Sequence, residues 1–259
     1  MKREGRPAIP AEVKRRVRQR CGFGCVICGL PLYEMDHIQP WATEGMHDEA
    51  NLTLLCDRHH REKTSGLLPI EALKRANTSP RNRRIATTHP YELHYFGEEI
   101  TCVLGSCSFS SDLAEDTIVA IGALSDELLW FTFWESDLLI NAMIPGESGH
   151  PAIKIIENEL VLHTGEFDIE FVGKSLAIRR SLRGILLKVV FEPPSRISIV
   201  RANINMSDFT IDISKHGVRG NRGSHFHDCH VAGVPVGFAF AYDRRGPRAF
   251  SVPAKGESD

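Results

Sequence analysis

The spacing of apolar residues changes character once along this chain. After Pro10 the period is helical. Val13 and Val17 recur four residues apart among Lys14, Arg15, Arg16, Arg18 and Arg20, and Glu12 lies in the first turn. This predicts an amphipathic helix opened by proline and stopped by Gly22 and Gly24. Phe23 to Ile38 reads as a hairpin of two short strands that turns at Gly29-Leu30-Pro31. Residues 39–50, with Pro40, Gly45 and several acids, read as a loop. Leu52, Leu54 and Leu55 precede a short helix from about Arg58 to Ser65, and a second helix, Ile70 to Ala76, closes a small unit.

Asn77 to Pro90 is polar and broken by Ser79-Pro80 and His89-Pro90. It is expected to be a linker, its Arg81, Arg83 and Arg84 lying on a solvated tether. Beyond it, short β-prone runs follow one another: Ile118–Ala123, Leu128–Trp134, Leu138–Ile144, Ala152–Ile156, Leu160–His163, Phe167–Val172, Ser175–Ile178, Ile185–Phe191, Ile197–Ala202 and Phe209–Ile213. Turn residues such as Pro145-Gly146, Thr164-Gly165 and Gly173-Lys174 separate many of them. The spacing argues for an all-β sandwich, barrel or β-solenoid. The lack of a strict repeat puts the solenoid second. The fold class is therefore α+β: a small unit over residues 1–76, a linker over 77–90, and a β-rich domain over 91–259.

The tail from Gly217 to Arg248 is rich in glycine, and the chain is expected to fray after Arg248. The tail carries His225, His227, Cys229 and His230. Strand alternation would set the first three on one face and His230 on the other, which favours a half-buried strand over a metal site.

The chain has 259 residues, 42% hydrophobic and 25% charged, enough for two cores. No run approaches the roughly 20 apolar residues of a membrane span, and none follows Met1–Gly5 as in a secretory leader. Seven cysteines cannot all pair. A Cys-x-x-Cys among them points to metal binding in a reducing, cytoplasmic compartment. The net charge of −2 is unevenly spread. Residues 1–84 hold 16 Lys and Arg against 10 Asp and Glu, leaving 15 against 23 for the remainder. The basic part is where a polyanion would dock.

The chemistry concentrates between Cys25 and Lys63. Structural zinc takes four N or S ligands, and pairs with a two-residue gap between them can reach one ion from a tight turn. Cys25 and Cys28 make one such pair, and Cys56 with His59 makes the other, although either ring of His59-His60 could serve. A redox dithiol would want a βαβ setting, which is missing. Cys21 has no assigned role. Beside this staple lie Asp36, His37, Asn51 and His60. A carboxylate and an imidazole, Asp36 and His60, suit a divalent cation with positions left for water and phosphate. A neutral His37 can take a proton from water, and the Asn51 amide can hold that ring or its loop in place. Lys63, like Arg15 and Arg16, could meet a phosphate.

The combined pattern Cys-x-x-Cys, Asp-His, Asn, Cys-x-x-His-His-x-x-Lys-Thr resembles the HNH endonuclease family over about residues 10–70. The resemblance implies a zinc-bound ββα-metal domain with His37 as general base, Asn51 as the middle residue, and His60 as final histidine and ligand. It also implies Asp36 as co-ligand of a magnesium-type ion. Many relatives carry cysteine where this chain has His59. The implied activity is hydrolysis of nucleic-acid phosphodiesters, double-stranded DNA foremost. Cutting both strands with one site leaves room for a homodimer or higher oligomer. The acidic β domain is expected to sense, recognise or oligomerise, as in anti-phage effectors or restriction enzymes. Ile155–Arg180 also resembles an accessory module found beside bacterial HNH domains. A small molecule or modified base is a candidate ligand, with Trp130 and Trp134 available for stacking, although core packing is their plainer role. The competing reading is a zinc-containing DNA-binding protein that does not cut.

Overall fold

The computed structural model describes residues 7–40, 47–112, 117–124, 126–134, 137–206, 209–221 and 223–240, and the structural statements below concern these. Gly45 and the tail expected to fray lie outside the described residues.

Helix α1 (Ala11–Cys21) starts after Pro10 and ends at Gly22, whose φ of 71° lets the last turn close on the Arg18 and Gln19 carbonyls. The hairpin expected over 23–38 is not formed. Strand β1 (Glu34–His37) pairs instead with β2 (Leu52–Leu55), in a register that sets Asp36 against Thr53 and His37 against Leu52. The segment before β1 is a turn. Cys25 N–H bonds Leu30 O at 2.9 Å, Gly29 N–H bonds Cys25 O at 2.7 Å, and Val26 N–H reaches Leu54 O at 3.0 Å. Bringing both cysteines to one point uses the backbone groups that a ladder would need. Helices α2 (Asp57–Thr64) and α3 (Ile70–Thr78) follow. Val17, Cys21, Leu52, Leu54, Leu55 and Leu73 form the small core they share.

The polar stretch 77–90 is not a tether. Pro80 opens a short helix, α4 (Arg81–Ile85), and Asn82 is fully buried. Its side-chain amide donates to Gly22 O and Gly29 O, both at 3.0 Å, and its backbone carbonyl accepts from Thr164 Oγ1 at 3.3 Å. A Cβ at Gly29, where φ is +82°, would stand 2.2 Å from the Asn82 side chain. That approach is open only to glycine.

The remaining strands are β3 (Tyr91–Glu92), β4 (Ile100–Leu104), β5 (Cys107–Ser111), β6 (Ile118–Ala123), β7 (Asp126–Trp134), β8 (Asp137–Pro145), β9 (Pro151–Ile156) and β10 (Glu159–Leu162). They continue with β11 (Asp168–Val172), β12 (Ser175–Arg179), β13 (Ile185–Glu192), β14 (Arg196–Met206), β15 (Phe209–Ser214), β16 (Gly217–Gly220), β17 (His225–Phe226), β18 (His230–Ala232) and β19 (Val236–Phe240). One sheet runs β19-β6-β7-β8-β9-β10-β3. The other runs from β11 to β17 in chain order, with β4 parallel on β14, then β5 and β18 beyond it. Both contribute to one core that includes Phe109, Phe131, Ile140, Ile178, Ile204 and Phe209. Consecutive hairpins in two sheets make a sandwich, not a solenoid.

Between the sheets is an apolar void of about 20 Å³, far below a ligand site. Trp130 packs on Val119 and Met143, as expected of a core residue. Trp134 does not: it ends β7 and is 65% exposed. The two halves meet where α1 crosses β11. Gln19 Nε2 donates to Phe167 O at 2.7 Å, and Tyr33 Oη donates to Ile169 O at 3.4 Å.

Candidate metal centre and active site

The cysteine turn and the start of α2 place four donor atoms together. Cys25 Sγ, Cys28 Sγ, Cys56 Sγ and His59 Nδ1 all lie within 4.8 Å of one another. Cys28 and Cys56 sulfurs are 3.7 Å apart, and His59 Nδ1 is 3.4 Å from Cys25 Sγ and 3.2 Å from Cys56 Sγ. Sulfurs each about 2.3 Å from a tetrahedral ion stand about 3.8 Å apart, so the set fits zinc. Of the adjacent histidines, His59 takes the fourth position. Its Nε2 faces Glu62 Oε2 at 3.8 Å, and Glu62 is held by Arg58 at 2.9 Å. A carboxylate behind the ring favours the proton on Nε2 and leaves Nδ1 for the metal.

The thiols interact strongly. The Cys28 hydrogen bond, helped by backbone N–H groups, holds Cys25 down at about 5 against the burial that opposes it. The same hydrogen bond and burial push Cys28 up, and burial pushes Cys56 up. One thiolate thus resists its neighbours' ionisation, a conflict that a dication removes.

On the other side of α2 lies the second constellation. Asp36 turns to α2, where its Oδ1 is 3.8 Å from His60 Nε2 and its Oδ2 is 2.6 Å from Lys63 Nζ. Two ligands about 2.1 Å from one divalent ion lie about 3–4 Å apart, so Asp36 and His60 fit such an ion. Lys63 also donates to the His37 carbonyl, which makes it an internal counter-charge to Asp36. The His60 side chain is 43% exposed against 15% for Asp36, so the site opens on the histidine side.

His37 is buried, and its Nε2 lies 3.1 Å from His47 Nδ1. His47 Nε2 in turn lies 2.6 Å from Pro7 O. Asn51 ends a short 3-10 turn capped by Asp48. Its Oδ1 accepts from Gln39 N–H at 2.7 Å and its Nδ2 donates to Gln39 O at 3.1 Å. The amide therefore grips the backbone two residues beyond His37. Arg20 donates to the carbonyls of Glu49 and Leu52 on either side of it.

Residues 19–66 match the HNH endonuclease family. The match spans the cysteine turn, β1, β2 and α2, and HNH nucleases act on nucleic acids. No curated protein and no solved structure matches the chain. Among the described residues, no helix is long and apolar enough to cross a membrane.

Arg15 and Arg16, expected on phosphates, are engaged within the chain. Arg15 lies 4.0 Å from Glu12 with its guanidinium carbon 5.8 Å from the centroid of the Phe167 ring. Arg16 is 2.7 Å from Glu49 and 3.3 Å from Glu12. The tail histidines form no metal cluster among the described residues. Asp228, with φ 46°, breaks the expected alternation, and His230 moves onto β18, where Ser108 and Ser110 bond its two nitrogens at 2.8 and 3.2 Å. Sequence reasoning missed His47, Glu62 and Arg20. Glu62 was within reach, since it stands one helical turn after His59. His47 carried no signal, for its role exists only through a contact across the loop.

Proposed function

We propose that this protein is a metal-dependent endonuclease that hydrolyses DNA phosphodiester bonds. In this reading residues 1–76 form the nuclease unit and residues 91–259 a β-rich module that senses or recognises. The observation that carries it is the Asp36–His60 pair, with donor atoms 3.8 Å apart on the open side of α2, next to the zinc-type cluster.

In this reading His37 is the general base. It takes a proton from water, the resulting hydroxide attacks phosphorus, and the ester bond to the leaving oxygen breaks. Asp36 and His60 would hold a magnesium-type ion, which when bound supplies positive charge to the phosphate and the leaving oxygen. Lys63 keeps the second Asp36 oxygen in place. Asn51 fixes the end of the strand that bears His37. The zinc cluster carries no chemistry and holds α2 against β2.

One observation favours the reading without cleavage: the Lys63 ammonium already neutralises Asp36. Plasmid nicking decides between them. The expected result is magnesium-dependent nicking by the wild type and none by His37→Ala. Plasmid binding with no nicking by either protein would establish the binding module instead.

A further inference from the structure

We infer that the open cleft beside Asn51 is a subsite for one base of the DNA next to the cut, and that it selects adenine. This rests on the nuclease reading for its substrate. The cleft has a volume of about 510 Å³, within the range of small-molecule sites. One wall is Ile38 and Gln39, which leave β1, together with the Asp48–Asn51 turn. The other is the last turns of α3, with Lys74 and Asn77. Gln39 stands two residues after His37, so the cleft adjoins the proposed point of attack. Its α3 wall falls outside residues 19–66, the segment that matches the family.

Charge argues against a phosphate here. Among the described residues Lys74 is the one cation lining the cleft, and Glu71 already pairs with it at 2.9 Å. Asp48 adds a negative charge. Hydrogen bonding argues for a base. Asn51 spends its amide on the Gln39 backbone, which fixes the point from which the Gln39 side chain starts. Among the described residues the Gln39 side-chain amide bonds nothing. The Asn77 amide meets only the Cys21 thiol, through Oδ1 at 3.7 Å, which leaves its NH2 group to donate. Asp48 uses Oδ1 on Ala50 N–H at 3.0 Å and keeps a second oxygen that can only accept. A glutamine amide makes two hydrogen bonds to adenine, accepting from N6 and donating to N7. The second N6 hydrogen then suits the Asp48 oxygen. Guanine presents two acceptors, O6 and N7, and would set O6 against that carboxylate.

A pool of short synthetic duplexes, randomised at the centre, tests this. Full-length protein carrying His37→Ala selects from the pool, and the bound fraction is sequenced. Wild type with magnesium cuts the same pool, and the nicks are mapped. The expected result is one A·T position favoured about tenfold or more over G·C, with its adenine at a fixed distance from the nick. Gln39→Met, added to His37→Ala, is expected to bring that preference below about threefold and leave other positions unchanged. Asp48→Asn keeps a cap on the turn but adds a donor, and is expected to admit guanine at the same position. Each variant is compared at full zinc and unchanged melting. A preference that survives both substitutions, or a Gln39→Met that weakens all sequences equally, would overturn the subsite. So would a salt slope of binding that falls by about one in Lys74→Ala, which marks a phosphate in the cleft. Cutting by the wild type with no base preference leaves the nuclease reading and removes the subsite. A preference without cutting leaves the subsite on a binding module, and neither result removes both.

Discussion

Arg18 grips Asp168 across the joint between α1 and β11, its Nε 2.9 Å and its Nη2 2.7 Å from the two carboxylate oxygens. The side chains are 8% and 2% exposed, and Glu170 adds a third contact at 3.0 Å. This buried fork ties the small helical unit to the edge of the second sheet. α1 also holds the Asn51 segment through Arg16 and Arg20, so one helix contacts both the β domain and the candidate site.

Breaking that fork on one side leaves a buried charge. Arg18→Met is expected to cost about 3–5 kcal/mol in urea unfolding, because among the described residues Asp168 keeps only Arg179 as a cationic partner, at 3.8 Å. The double variant Arg18→Met/Asp168→Leu is expected to recover most of that loss. A double variant no better than the single would show that the guanidinium matters for packing and not for pairing.

Zinc content checks the metal centre. Purified protein is expected to carry one zinc per chain, and Cys56→Ala to carry none. A chelator should unfold the helical unit and leave the β-sheet circular dichroism, since the sandwich has its own core. Glu62→Gln, which removes the carboxylate behind His59, is expected to weaken zinc about 10–100-fold. Cys28 and Cys56 are both pushed up, so two protons must leave as zinc binds. Affinity should therefore rise with pH through neutrality, by up to about 10²-fold per unit, as read by competition with a zinc chelator.

Asn51 uses both ends of its amide on Gln39. In Asn51→Asp the Gln39 N–H keeps an acceptor, but its carbonyl faces an oxygen in place of a donor. The expected cost is about 1–3 kcal/mol of stability. Nicking by Asn51→Ala should fall through kcat with KM little changed. An unchanged kcat would remove Asn51 from the site.

Glu166 is 5% exposed, and its Oε2 is buried with no hydrogen-bond partner, while Oε1 accepts from Glu147 N–H at 3.2 Å. Burial pushes this carboxyl above its ordinary range. A group raised on folding contributes stability below its unfolded value and loses it as pH rises through the folded one. Glu166→Gln should therefore raise the melting temperature by a few degrees at pH 7, and the gain should vanish near pH 4. A constant gain at both pH values would mean that its charge is not the cause.

Sequence alone determined the parts whose signal is local. Helical spacing placed α1, β-prone runs between turn residues placed strands β6 to β15, and the two ligand pairs, each with two residues between its members, named the zinc set, because each depends on neighbours along the chain. Strands β3 to β5, β16, β18 and β19 escaped, each being five residues or fewer. Only the tertiary structure decided that β1 pairs with β2, that Asn82 is a buried clasp and not part of a tether, that Lys63 turns inward to Asp36, and that His47 stands behind His37. Each of these is a hydrogen bond or ion pair whose partner is ten or more residues away or on another element. Residue type and spacing state what a side chain can bond, but the packed chain selects which of several possible partners it meets.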